Sequence, residues 1–113
     1  SSIPNNTFYT CSSLTGPLTF PEGVSTIGDV AFYLCSGLSG DLTIPSTMTS
    51  IGAGAFQFCS GLSSIDCYTD DDVFGAFSLF GTSVDEIHVL STSSWTAGSQ
   101  IVGDKTVTVI KDL

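Results

Sequence analysis

The chain of 113 residues contains no arginine and only two lysines, Lys105 and Lys111, against eleven acidic residues. With a formal charge of -9 it has little means of neutralising phosphate groups, which argues against nucleic acid and anionic membrane surfaces as partners. Basic proteins, cations and neutral glycans are compatible with this composition. Polar residues interrupt every apolar run, so no segment approaches the roughly 20 apolar residues of a membrane-spanning helix. We therefore expect no direct insertion into a membrane.

The sequence also lacks the motifs by which many enzymes are recognised. It has no G-x-S-x-G, H-E-x-x-H or P-loop pattern, and His88 is the only histidine. A serine, an aspartate and a glutamate lie close to His88 in sequence, but their spacing matches no known catalytic arrangement. His88 stands between the apolar residues Ile87 and Val89, so on a strand it would point away from the protein core. It is interpreted as a surface histidine. We predict a non-catalytic protein without a cofactor.

A 24-residue repeat organises the first part of the chain. Cysteine, phenylalanine and isoleucine recur at this interval, in the sets Cys11/Cys35/Cys59, Phe8/Phe32/Phe56 and Ile3/Ile27/Ile51. A unit this short cannot bury its own apolar face, so successive units must stack and align equivalent side chains into a continuous core. The sequence therefore predicts a repeat solenoid.

Each unit is predicted to contain a short strand, and the strands of successive units are expected to run parallel. The segment Leu42-Thr43-Ile44-Pro45 alternates with a period of two and ends at a proline that cannot continue a ladder. Leu18-Thr19-Phe20-Pro21 is its counterpart one unit earlier. The apolar spacing between Ile51 and Phe56 is compatible with a single helical or 3₁₀ turn on the opposite face.

The stretch from Ile44 to Leu62 resembles a known family. Its sequence, IPSTMTSIGAGAFQFCSGL, is similar to the BspA-type leucine-rich repeat pattern I-P-x-x-V-x-x-I-G-x-x-A-F-x-x-C-x-x-L. Residues 1–67 match this pattern closely, whereas residues 68–113 match it only in part. The resemblance implies a leucine-rich-repeat fold and a secreted or cell-surface protein of the adhesin type. It implies no chemistry, because the consensus residues build the core.

Residues 68–113 are predicted to form a degenerate repeat and a C-terminal cap, since terminal units must close the apolar core with atypical sequence. The degenerate repeat is assigned the apolar residues Phe77, Val84, Ile87 and Val89. Gly103-Asp104 lies between two β-branched runs, which predicts a closing hairpin with a two-residue turn. Trp95 is expected to cover the end of the core; an exposed platform for a sugar is the alternative.

The four cysteines are interpreted as free, buried thiols. Three recur with the apolar positions, as small core residues do, and Cys67 replaces a core isoleucine. Neighbouring coils lie close enough for a disulfide, but a column of three cannot be fully paired. The even spacing also lacks the close pairs of structural zinc sites. Asp70-Asp71-Asp72 lacks the ligand spacing of a calcium loop, so we predict a solvated acidic turn without a metal.

Aligning the strands gives candidate binding residues on their outward face, which is expected to be concave. One column contains Thr19, Thr43, Asp66 and His88, and a second contains Asp41, Ser64 and Glu86. Strand faces of such solenoids are common binding surfaces. The same residues also fit the simpler interpretation of solvated strand positions.

We predict a binding or adhesion module, extracellular or at the cell surface, that recognises a protein or glycan. A structural spacer that stacks end to end and an accessory domain of a larger enzyme are the alternatives. Because Ile3-Pro4 matches the middle of a repeat unit, we expect the sequence to be part of a longer protein.

Overall fold

A computed structural model describes residues 2–20 and 23–113 of the chain, which winds as a β-solenoid of about five turns. Its strands, in chain order, are β1 (Ser2–Ile3), β2 (Thr26–Ile27), β3 (Gly40–Ile44), β4 (Ser50–Ile51), β5 (Leu62–Cys67), β6 (Glu86–Val89), β7 (Gly98–Val102) and β8 (Lys105–Ile110). They form a wide sheet in the order β3-β5-β6-β8-β7 and a narrow one in the order β1-β2-β4. All neighbours are parallel except β7 and β8. The predicted repeat solenoid of short parallel strands is confirmed.

The wide sheet contributes one continuous apolar face to the core. Leu42, Ile65, Ile87 and Val109 are in register across its four parallel strands, and each is at most 2 % exposed. Because side chains alternate along a strand, the residues between them point to the opposite side of the sheet. This register places the polar strand residues on one outward face.

The narrow sheet is built by the repeated isoleucines. Ile3, Ile27 and Ile51 are aligned in parallel register, and a further bridge joins Ile51 to Phe74. The glycines after Ile27 and Ile51, Gly28 and Gly52, are required by close packing between coils. A Cβ atom on Gly52 would lie 2.5 Å from the backbone nitrogen of Asp29 in the preceding coil, closer than real Cβ contacts allow.

The segments after the narrow sheet form turns, which corrects the predicted helical or 3₁₀ turn. In the second coil, Val30, Phe32 and Leu34 donate their N–H groups to carbonyl groups of the next coil at 2.9, 2.8 and 2.9 Å. The next residues in the chain, Tyr33 and Cys35, instead donate their N–H groups to carbonyl groups three residues earlier in the same coil. Val30 and Leu34 also have positive φ angles of 49° and 58°. A helix needs right-handed backbone angles and internal hydrogen bonds throughout. No helix is present among the described residues.

A column of aromatic rings runs through the core along the solenoid axis. The ring of Phe32 stacks on Phe8 at 5.1 Å and on Phe56 at 5.4 Å between centroids. Phe32 and Phe56 are buried, and Phe8 is half-buried. In the next coil, the buried Leu79 occupies the equivalent position. Phe77, predicted to continue the core, is instead 50 % exposed.

The cysteines are free, as predicted, and three of the four are buried. Cys35 and Cys59 donate their thiol groups to the carbonyl groups of Phe8 and Phe32, each one coil back, at 3.0 and 2.9 Å. Burial raises the pKa of Cys59 to about 12. Cys11 is only half-buried, since it lies in the first described coil.

The first coil departs from the predicted strand. Gly16 forms a single parallel bridge to the second coil, but the segment Leu18-Thr19-Phe20 is not a strand. Pro17 fixes φ at about -65° and has no N–H group, whereas a parallel strand needs a φ of about -120°, so the ladder ends after one bridge. Thr19 is consequently exposed outside the sheet. Pro21, the predicted end of this strand, lies outside the described residues.

The predicted hairpin closes the C-terminal end. β7 and β8 pair antiparallel around Gly103-Asp104, whose φ angles of 56° and 61° are those of a type I′ turn. β8 also extends the parallel sheet beside β6, so the cap adds a strand to the solenoid. Trp95 is buried, 5 % exposed, with its ring 6.5 Å from Phe74 in an edge-to-face contact. The division of the chain at residue 67 stays a prediction.

Candidate functional site

The outward residues of the wide sheet form two columns, which together we call the strand face. The first column is Asp41, Ser64 and Glu86, and the second is Thr43, Asp66 and His88, each with its members in direct register. Neighbouring strands lie about 4.8 Å apart, so equivalent side chains in one column are neighbours across the sheet. The structure thus brings together six of the seven predicted binding residues. Thr19, the seventh, lies outside both columns.

Hydrogen bonds connect the side chains of the strand face. The hydroxyl of Ser64 donates to the carboxylate of Asp41 in the first column. His88 lies 3.2 Å from Glu86 through Nε2, and its Nδ1 lies 2.9 and 3.0 Å from the two carboxylate oxygens of Asp112. His88 therefore joins the second column to the first and to the segment after β8.

The electrostatic environment of His88 favours its protonated form. The pKa of His88 is raised above its ordinary value of 6.5, chiefly by its hydrogen bond to Asp112. The charge of Asp112, the contact with Glu86 and the charge of Asp66 act in the same direction. The ring is 23 % exposed, so solvent still reaches it and weakens these interactions.

Asp112 was missed by the sequence analysis. It follows β8 and lies 24 residues after His88, the spacing of the repeat itself. That interval was the available signal. It was obscured because the apolar pattern that marks each unit is weak in residues 68–113.

An apolar groove adjoins the strand face where the parallel strands end. Pro45, Tyr68 and Leu90 directly follow β3, β5 and β6, and they line a groove of about 350 Å³ together with Phe20 and Thr43. Tyr68 is 37 % exposed there. The site therefore offers carboxylates on the strands and apolar side chains beside them.

The acidic run Asp70-Asp71-Asp72 lies near this groove, and part of it is held by hydrogen bonds. Ser94 donates its hydroxyl to the carboxylates of Asp70 and Asp71, and Asp72 accepts the N–H of Phe74 at 2.9 Å. Within residues 2–20 and 23–113, no group of three or more potential ligands is arranged to hold a metal ion.

Comparison with known proteins identifies the repeat. A family model described as BspA type leucine rich repeat region matches residues 1–100 in six copies. The chain belongs to the BspA-type leucine-rich repeat family. No curated protein and no solved structure gave a significant match. This family suggests a surface protein-binding or adhesion repeat, is associated with cell-surface proteins and is typically non-catalytic.

The strand face of this BspA-type repeat carries carboxylates, hydroxyl groups and one imidazole. In the part of the chain that the structure describes, the side chains bonded to His88 are carboxylates, so no hydroxyl or thiol is placed against it as a nucleophile. None of the described residues belongs to a helix that is long and apolar enough to cross a bilayer. What the strand face presents is negative charge, hydroxyl groups and a neighbouring apolar groove.

Proposed function

We propose that this BspA-type repeat is a non-catalytic protein-binding module of an extracellular or cell-surface protein, and that it binds its partner through the strand face. The observation that supports this most directly is the register of the outward residues. It aligns Asp41, Ser64 and Glu86, and then Thr43, Asp66 and His88, across three strands. A rigid sheet holds such groups at fixed spacing, which lowers the entropic cost of recognition.

Charge favours a basic polypeptide as the partner. Asp41, Asp66, Glu86 and Asp112 all lie on or beside the strand face, and neither lysine is among its columns. Lys111 donates to the carbonyl of Ser93 at 2.8 Å, away from these carboxylates. Complementary charge increases the rate of association and discriminates against other acidic proteins. The adjoining groove would receive an apolar side chain of the same partner.

Hydrogen-bond direction favours this function over an end-to-end spacer. Each turn segment donates its N–H groups toward the following coil, as Phe8 does at 2.7 Å. In the last such segment, the Leu79 N–H is taken by the Gly103 carbonyl at 3.1 Å and the Phe77 N–H by the Asp104 carboxylate at 2.6 Å. Because the hairpin turn uses these donors, they are not available to the first coil of a second copy.

The proposal is tested with the double variant Asp66→Ala/His88→Ala. The purified chain is screened against arrays of basic and acidic polypeptides and of glycans, and affinities are measured for the polypeptides it binds. We expect basic sequences to bind and the double variant to weaken binding about tenfold, while Asp85→Ala, a charge removed just outside β6, changes it little.

Two outcomes contradict the proposal. Equal affinity of the double variant and the unaltered chain for a bound polypeptide would remove the strand face as the site. Binding to glycans alone would replace the protein partner by a carbohydrate. Sedimentation velocity on the same samples would reveal concentration-dependent association, the behaviour of a stacking spacer.

A further inference from the structure

β3 is an edge strand of the wide sheet, and its backbone groups alternate between two sides. The carbonyl of Ile44 accepts the Tyr68 N–H at 2.9 Å, so Ile44, and with it Leu42, directs its backbone groups toward β5. In a parallel strand the N–H and C=O of one residue point to the same side, and the next residue points to the other. Asp41 and Thr43 therefore direct their backbone groups away from the sheet.

The first coil leaves most of this edge unpaired. The Ser39 N–H, on the same side as those of Asp41 and Thr43, donates to the Gly16 carbonyl at 3.0 Å. Among residues 2–20 and 23–113, no further backbone hydrogen bond joins Asp41 or Thr43 to residues 17–20. An edge strand with free donors and acceptors is a template for an added strand.

The two sides of this edge differ in chemistry. Toward the core lies an apolar cavity of about 290 Å³, lined mainly by first-coil residues such as Leu14, Leu18 and Phe20, with Phe32 and with Leu38, which lies two residues before β3. The opposite side is the strand face, where Asp41 begins the first column and Asp66 stands next to Thr43. An extended segment places successive side chains on opposite sides. A strand added here would thus direct one set of side chains to the cavity and the other to the carboxylates.

We infer that the free edge of β3 binds an extended segment of a partner protein as an added parallel strand, with apolar side chains facing the cavity and basic side chains beside Asp41 and Asp66. The backbone of Asp41 and Thr43 supplies the hydrogen bonds, and the alternation of charge and apolar character sets the preferred sequence. This inference rests on the proposed protein-binding function and adds a further contact, the backbone of the strand edge, to the carboxylates of the strand face.

The first test is amide hydrogen exchange in the full chain, measured by NMR with a synthetic peptide of alternating lysine and isoleucine. We expect the peptide to slow exchange at Asp41 and Thr43 at least about fivefold. Leu42 and Ile44, already bonded to β5, serve as internal controls and should change little. Unchanged exchange at Asp41 and Thr43 with the peptide in excess would overturn the inference.

The second test blocks single hydrogen bonds. Thr43→Pro removes an N–H that points away from β5, and Thr43→Ala is the matched control that keeps it. Thr43→Pro should weaken peptide binding about tenfold relative to Thr43→Ala, a comparison that takes account of any contribution of the Thr43 side chain to the strand face. Peptides N-methylated at the isoleucines or at the lysines leave the protein unaltered, and only the isoleucine set, whose N–H groups face β3, should lose affinity.

These results separate the two proposals. If Thr43→Pro and both N-methylated peptides bind normally while Asp66→Ala/His88→Ala weakens binding, the edge inference is refuted and the strand face is retained. If Thr43→Pro weakens binding and the double variant does not, the backbone contact at the edge is supported, whereas the strand face and the assigned contact of basic side chains with Asp66 are refuted. Failure of the peptide to bind at all refutes the edge, while the array screen still judges the strand face.

Discussion

The aromatic column gives the most direct test of the fold. Phe56 is fully buried and its ring stacks on Phe32 at 5.4 Å with the planes 7° apart. Truncating such a ring to alanine costs about 3–5 kcal/mol, and the stacking contributes about 0.5–1.5 kcal/mol of that loss. A domain of this size is stable by only about 5–15 kcal/mol. We therefore expect Phe56→Ala to lower the free energy of unfolding by about 4 kcal/mol.

Position along the column should control this cost. Phe8 contributes the same side chain to the same column and likewise stacks on Phe32, at 5.1 Å, but it is half-buried. Less area is removed from water in its variant and solvent can fill the space, so Phe8→Ala should cost about half as much as Phe56→Ala. Phe56→Leu preserves most of the volume and should cost about 1.5 kcal/mol.

Urea-induced unfolding, followed by far-UV circular dichroism, measures all three variants. The unaltered chain should give a spectrum of strand and irregular structure. Phe56→Leu keeps the comparison possible if the alanine variant is too unstable to purify. Equal costs for Phe8→Ala and Phe56→Leu are compatible with the column, but a larger cost for Phe8→Ala than for Phe56→Ala would refute it.

Two further predictions concern titrating groups. Cys11 should react first with a thiol reagent at about pH 8, while the other cysteines react only on unfolding, because burial raises the pKa of Cys59 to about 12. The pKa of His88 is raised in the folded state, so its interactions stabilise the fold fully below pH 6.5. This stabilisation is lost as the pH rises through the pKa of the folded state. An NMR titration of His88 should give a midpoint above 6.5 that Asp112→Asn lowers; an unshifted midpoint in that variant would contradict the assigned cause.

The interior of the solenoid could be predicted from the sequence because its period is a direct consequence of stacking. Apolar residues that recur every 24 residues have equivalent neighbours in successive coils, so Phe32 and Phe56 were expected to lie over one another. The same reasoning placed Cys67 in the core. It failed at Phe77, where the register between coils changes and Leu79 takes the buried position.

The turn segments could not be predicted in this way. Apolar residues three to five positions apart occur both in a helical turn and in two consecutive tight turns. The feature that distinguishes them is left-handed backbone at Val30, Leu34 and Phe58, residue types that rarely adopt it. Their conformation is imposed by hydrogen bonds to the next coil, which local propensity does not encode.

The candidate site, too, could be predicted only where it depends on the repeat. The columns containing Asp66 and His88 followed from strand register, which alternation and repeat length determine together. The free edge of β3 depends instead on Pro17, which interrupts the ladder of the first coil. Asp112 lies one repeat interval after His88, but the weak apolar pattern of residues 68–113 obscured that equivalence.

Stability and recognition are therefore carried by separate residues in this fold. The inward positions of each strand build the core, whereas outward positions such as Asp41, Asp66 and Glu86 are partly or largely exposed to solvent. Substitutions at exposed positions usually change stability by less than about 0.5 kcal/mol, while truncation in the core costs several times more. The outward columns can consequently change charge without loss of the solenoid. The same period that stacks the core also stacks these groups one strand apart, so a change in a single residue alters a continuous polar column that a partner contacts as one surface.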